Sequence, residues 1–141
     1  MTRGQWLAPV AIIFLIAGVV LLNHTYKQHD GAEVVLQCAD LRAGCRAMLG
    51  DREVTVGVNG ELKLLKPFEV WVRVEGVQKL QASFTMKGMD MGFNLYTLRP
   101  DGKGAYQARI TLPICVTGRH DWLLHLDLDE QRLTVPFVTE L

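Results

Sequence analysis

Charge of one sign is what this sequence lacks most plainly. Fifteen Lys and Arg meet fifteen Asp and Glu in 141 residues, and beyond residue 30 thirteen basic residues face fourteen acidic ones. No basic face for nucleic acid or anionic lipid stands out, so nucleic-acid binding is set aside. A glycine-rich phosphate loop, an internal repeat and a low-complexity tract are missing too. So are a Ser/His/Asp constellation, paired carboxylates and a Cys-x-x-Cys pair. The remaining nucleophile–base candidate is Cys115 near His120, with no local catalytic signature around it, and the chain is not read as an enzyme. Helical periodicity after residue 30 is absent as well.

What is present begins with an apolar run. Residues 7–22 are sixteen positions without a charge or strong polar group. As a helix they span ~24 Å, short of the ~30 Å hydrocarbon core. Trp6 and Tyr26 flank the run, where amphipathic rings settle at an interface, and bring it to a workable length. Pro9 falls near the helix start, where its missing N–H costs least. A cleaved signal peptide is the alternative, but Leu21-Leu22-Asn23-His24-Thr25 offers no small-x-small cleavage site. The reading is a membrane anchor and tether at 1–30, with a single transmembrane helix, and an exported domain at 31–141.

The exported part reads as short strands separated by turns. Runs at 33–38 and 45–49 come first, and Val54, Val56 and Val58 then alternate with polar or small residues up to an Asn59-Gly60 turn. Phe68, Val70, Val72 and Val74 face one way and Trp71 the other; Leu80, Ala82, Phe84 and Met86 repeat the pattern. Trp122, Leu124, Leu126 and Leu128 point inward while His125 and Asp127 point out. Leu133, Val135 and Phe137 close the chain, with Pro136 marking an edge. About seven to nine short strands at regular spacing predict an all-β, immunoglobulin-like antiparallel sandwich.

The strongest turn signal is Arg99-Pro100-Asp101-Gly102-Lys103, which predicts a hairpin of 93–98 with 104–112. Tyr106, Ala108, Ile110 and Leu112 face inward there, and matching them requires Met91, Phe93, Leu95 and Thr97 opposite. Extended, that register sets Met91 across from Leu112 and Met89 across from Ile114, beside Cys115.

Cys38 and Cys45 enclose six residues including Gly44. On a continuous helix they would lie ~10.5 Å apart along the axis, too far to bridge. Across a turn they can pair, and disulfides persist in an exported domain. A Cys38–Cys45 disulfide is expected; a thiol pair that binds metal or trades electrons fits the same spacing. Cys115 is left over as a buried small hydrophobe or a reactive soft ligand.

Met86-x-x-Met89-x-Met91 with a nearby cysteine is a soft set suited to Cu(I). Met89 and Met91 share a face on a strand; Gly88 and Gly92 allow the backbone to bend beside them. Met86 shares parity with Phe84 and is core before it is a ligand. His120, in the turn before Trp122, is either an imidazole ligand or a solvated turn residue. His125 reads as surface, and His24 and His29 as tether. The bland reading of the methionines is gap-filling at the end of a sandwich.

The anchor, the alternating strands, the Met-rich turn, G-x-Y-x-A at 104–108 and G-x-x-x-W at 118–122 resemble the YtkA-like and FixH-like domains over roughly residues 54–137. The resemblance implies a bacterial inner-membrane protein with an immunoglobulin-like domain in the periplasm, handling copper or serving assembly of haem-copper oxidases. Gly104, Tyr106 and Trp122 match as fold markers, and Met89 and Met91 as ligands. Leu112-Pro113-Ile114-Cys115 departs from the family, where an apolar or Met residue is usual.

Two functions follow as expectations. In the first, Met89, Met91 and Cys115, with His120 as an optional fourth ligand, hold Cu(I) for copper chaperones or oxidase subunits. In the second, the domain is a metal-free interaction module using an exposed strand edge or Trp71.

Overall fold

The computed structural model describes residues 7–27, 33–89, 91–92 and 94–140, with helix side chains described at 10–21. Two compact units divide the chain, Met1–Gly31 and Ala32–Leu141.

In the first unit, helix α1 runs over Leu7–Lys27, so the backbone is helical through part of the expected tether. Among the described residues no helix is long and apolar enough to cross a membrane. The transmembrane span expected at 7–22 is therefore not established by the fold.

The second unit is built from alternation. On β3 (Arg52–Asn59), β4 (Phe68–Arg73), β5 (Leu80–Thr85), β9 (Asp121–Leu128) and β10 (Gln131–Val138), the expected inward residues are buried. Val54, Val56, Val70, Val72, Ala82, Leu126 and Leu133 have essentially no exposed surface. Burial of each large apolar side chain is worth about 1.5–3 kcal/mol, which a one-residue slip would forfeit along a whole strand.

With β1 (Glu33–Val35), β2 (Cys45–Leu49), β6 (Leu95–Thr97), β7 (Arg99–Pro100) and β8 (Tyr106–Ile110), these strands form two five-stranded sheets around one core. Their orders are β1-β10-β9-β5-β6 and β2-β3-β4-β8-β7. All pairings are antiparallel except β1 with β10. At the centre the Phe84 ring meets Phe68, Tyr96 and Phe137 edge-on, at centroid distances of 6.3, 6.0 and 6.2 Å. Pro136 behaves as an edge residue in one respect: β1 covers β10 only at 132–134, so no neighbour on that side asks Pro136 for a donor.

The long hairpin does not form as expected. β6 pairs with β5 in one sheet, whereas β7 pairs with β8 in the other. Leu98 is the crossing point: it is buried between them and donates its N–H to the Leu80 carbonyl at 3.0 Å. The turn itself is tied by Asp101, whose Oδ1 accepts from Lys103 N–H at 2.7 Å and Ala105 N–H at 3.1 Å. Inside and outside also exchange on β6, since Leu95 is exposed and Tyr96 packs on Phe84. Asn94 explains the shift. Its carboxamide imitates a strand neighbour, accepting from Phe84 N–H at 2.7 Å and donating to Phe84 C=O at 2.5 Å. Met91 and Met89 therefore do not oppose Leu112 and Ile114; Met89 instead bridges to Met86. Phe93 lies outside the described residues.

Candidate functional site

One end of the sandwich gathers the connections at 60–67, 86–89 and 111–120 with residues 139–140. Leu65 N–H bonds Leu112 C=O at 3.0 Å within one sheet's connections, and Glu140 N–H bonds Leu62 C=O at 2.8 Å, closing this end across the two sheets.

Two tight turns bring the sulfurs together. One runs from Met86 to Met89, where Met89 N–H reaches Met86 C=O at 2.9 Å and Gly88 takes φ 77°. The other runs from Cys115 to Gly118, with Gly118 N–H on Cys115 C=O at 3.0 Å. Arg119 clasps them: it donates to Lys87 C=O at 3.0 Å and forms an ion pair with Asp121. Cys115 Sγ consequently lies 3.9 Å from Met89 Sδ. On either side of the buried Cys115, Ile114 and Val116 point outward and are exposed.

The Cys115 thiol is biased toward thiolate. Hydrogen bonds from the Thr117 hydroxyl, 3.0 Å away, and from the Thr117 N–H hold it below the ordinary thiol value. Arg119 adds to this, while desolvation opposes it.

Of the other expected ligands, Met86 is sealed in the core and Met91 is half-buried against it. His120 is half-buried, its Nδ1 shielded from solvent and without a hydrogen-bond partner. Among the described residues no three His, Cys, Asp or Glu side chains come together as a metal cluster, so a metal held here would rest on thioether sulfur. Cys38 and Cys45 are joined as a disulfide with Cα atoms 5.8 Å apart. The side chains of His24 and His29 lie outside the described residues.

Two outward-facing residues differ from their reading as bare surface. Trp71 is half-buried over the bare backbone of Gly57 and Gly44, with the Arg73 guanidinium 5.3 Å from its ring centroid. It is not a ring offered freely to a partner. His125 is the centre of a chain across four strands, 2.8 Å from both Thr85 Oγ1 and Thr134 Oγ1. Thr134 donates its one hydroxyl proton to Glu33 Oε1 at 2.6 Å, so it must accept from His125 Nδ1–H. Nε2 then accepts from Thr85. Both nitrogens are engaged, which leaves neither for a metal. The signal was in the parity: Thr85, His125 and Thr134 share the outer face of adjacent strands.

His125, Thr134 and Glu33 line a groove of about 930 Å³ whose other walls include Val35, Pro136 and the disulfide loop at 38–42. That volume is of the size that takes small molecules.

These features define a two-sheet β-sandwich with one disulfide and a sulfur pair at one rim. No family model, curated protein or solved structure matches the chain.

Proposed function

We propose that the chain is a membrane-anchored bacterial accessory protein whose periplasmic domain carries Cu(I) as cargo for respiratory oxidase assembly. Cys115 and Met89 are the primary ligands, with Met91 and His120 completing the set. One observation carries this reading: the 3.9 Å contact between a thiol biased toward thiolate and a thioether. Two sulfurs sharing one soft ion at ~2.3 Å each lie no more than about 4.6 Å apart, so the pair fits without rebuilding. The donor set, one thiolate with neutral thioether and imidazole, suits a monovalent soft cation better than a hard divalent one.

Anchoring is supported by apolar side chains exposed on α1, among them Ile13, Phe14, Leu15 and Leu21, and export by the disulfide. We read the orders β3-β4-β8-β7 and β6-β5-β9-β10 as an immunoglobulin-type arrangement, as in YtkA-like and FixH-like domains. The oxidase assignment rests on that resemblance. Competition of the whole chain in detergent, with the Cys38–Cys45 disulfide intact and Cys115 as the free thiol, against a chromophoric Cu(I) chelator tests the site. Cys115→Ser and Met89→Leu are each expected to weaken binding at least about tenfold, ~1.4 kcal/mol. Met86→Leu is expected to leave it unchanged, and unaltered affinity in the first two removes the reading.

A metal-free docking module is the second reading, favoured by the exposed flanks Ile114 and Val116 and by the groove. Crosslinking that captures a membrane partner equally well with and without copper would select it.

A further inference from the structure

Three buried polar atoms near the sulfur rim have no hydrogen-bond partner: His120 Nδ1, Trp122 Nε1 and Thr139 Oγ1. Trp122 is 1% exposed and Thr139 4%. Buried polar groups in native proteins are almost always paired, so three orphans at neighbouring positions need one explanation.

Register makes them neighbours. Trp122 lies opposite Phe137, and beyond the strand ends Thr139 N–H bonds His120 C=O at 3.0 Å. Residue 122 has the parity of the buried Leu124, and continuing the alternation one step past each strand end places residue 120 with it and the buried Thr139 with Leu133 and Val135, on the core-facing side. Cross-strand neighbours stand ~5 Å apart at Cβ and alternate residues ~7 Å, spans that an indole and an imidazole can bridge to a shared point.

The chemistry selects the ligand. An indole N–H only donates, which excludes a cation. The indole and the hydroxyl carry no charge, and the nearby Arg119 is already engaged by Asp121 and Lys87, so no fixed charge is set aside for a buried anion. What remains is a small neutral group that accepts two N–H bonds and returns one to a hydroxyl oxygen. That group is water, which typically makes about three bonds when buried.

We infer that one ordered water is the shared partner of His120 Nδ1, Trp122 Nε1 and Thr139 Oγ1. It accepts from both nitrogens and donates to Thr139. The consequence for copper rests on the function proposed above: with its proton fixed on Nδ1, His120 presents an unprotonated Nε2 as the ligand atom, the water acting as its outer support.

The test uses the full chain in detergent micelles, ¹⁵N-labelled at Trp and His, without metal. The Trp122 indole proton is expected to show a cross-relaxation peak to water, and His120 the Nδ1–H tautomer. Thr139→Val is expected to abolish both, Thr139→Ser to keep both. Absence of the Trp122–water peak in the unsubstituted chain, or its survival in Thr139→Val, overturns the inference. A separate chelator competition is expected to show Cu(I) affinity about tenfold weaker in Thr139→Val and restored in Thr139→Ser. Unaltered affinity there overturns the outer-support role alone. A water peak in a chain that binds no Cu(I) removes the copper reading and leaves the water site standing.

Discussion

Replacing Gly57 with alanine puts a methyl group where the Trp71 indole lies. An ideal Cβ at Gly57 would be 2.2 Å from Trp71 Cζ2, 2.5 Å from Cε2 and 2.9 Å from Nε1. Atoms do not tolerate such separations, and the ring packs against Gly44 on its other contact, so it cannot slide sideways. Its way out is into solvent. A fully enclosed Trp buries 150–250 Å², and half of that is about 100 Å², worth ~2.5 kcal/mol at ~25 cal/mol/Å². Loss of the Arg73 contact adds about 0.5–1 kcal/mol. Against this stands a gain of roughly 0.5–1 kcal/mol for replacing glycine inside a strand. Gly57→Ala is therefore expected to cost about 2–3 kcal/mol in urea unfolding, with a red shift of Trp71 emission. In a Trp71→Ala background only the glycine gain remains, so the same change is expected to be neutral or slightly stabilising, giving a coupling of about 3–3.5 kcal/mol. A Gly57→Ala cost below about 0.5 kcal/mol, or an equal cost in both backgrounds, would refute the notch.

The disulfide closes a ring of about eight residues, so Cys38→Ala with Cys45→Ala is expected to cost ~2.5 kcal/mol in the unfolding midpoint; no shift would mean the loop is held by Leu41 and its bond from Val58 instead. Burial first, then the Arg132 guanidinium, hold His125 below the ordinary histidine value, while Glu33 and Asp127 pull the other way. The unfolded chain thus takes up this proton first, so stability is full above about pH 6.5 and falls as the pH drops through that value toward the folded one. Urea midpoints measured between about pH 7.5 and pH 5 should show this slope, and His125→Gln should flatten it. Thr117→Val removes the leading hydrogen bond to the Cys115 thiol, so the midpoint of its alkylation rate against pH should rise; an unmoved midpoint contradicts the cause assigned here. Arg119→Gln should loosen the clasp between the turns and raise the plateau alkylation rate at high pH, where thiol ionisation no longer matters; an unchanged plateau would show that the turns hold without it.

Much of the sandwich was legible because alternation is a local signal. Phe68, Val70 and Val72, or Leu124, Leu126 and Leu128, declare their face whatever strand they join. Partner choice is not local. The turn at 99–103 announced a hairpin, yet whether the preceding strand continues into it depends on Asn94 and Leu98 bonding to β5, at residues ten and eighteen positions earlier. Side-chain chains across strands are hidden for the same reason. Thr85, His125, Thr134 and Glu33 are scattered over 102 positions, and only the sheet order lines them up.

The sulfur pair shows how a contact can be foreseen through incorrect geometry. The expected route placed Met89 beside Cys115 along an extended ladder, and that ladder does not exist. What survives is coarser: two glycine-marked turns, at Gly88 and Gly118, that end at the same rim because β5 and β9 are neighbours. Met86 closes the first turn, so it is drawn into the core with Phe84, while Met89, three residues on, emerges half-exposed above Cys115. Spacing by three in a turn therefore divides the methionines between packing and contact, whereas on a strand it would only have divided them between faces. Cys115 follows the same logic. Flanked by outward Ile114 and Val116, it points in, and the reversal at Gly118 folds Thr117 back onto its sulfur. The thiol is thus enclosed by its own turn and touches the half-exposed Met89, so a side chain read as a leftover small hydrophobe owes its surroundings to two reversals of the chain.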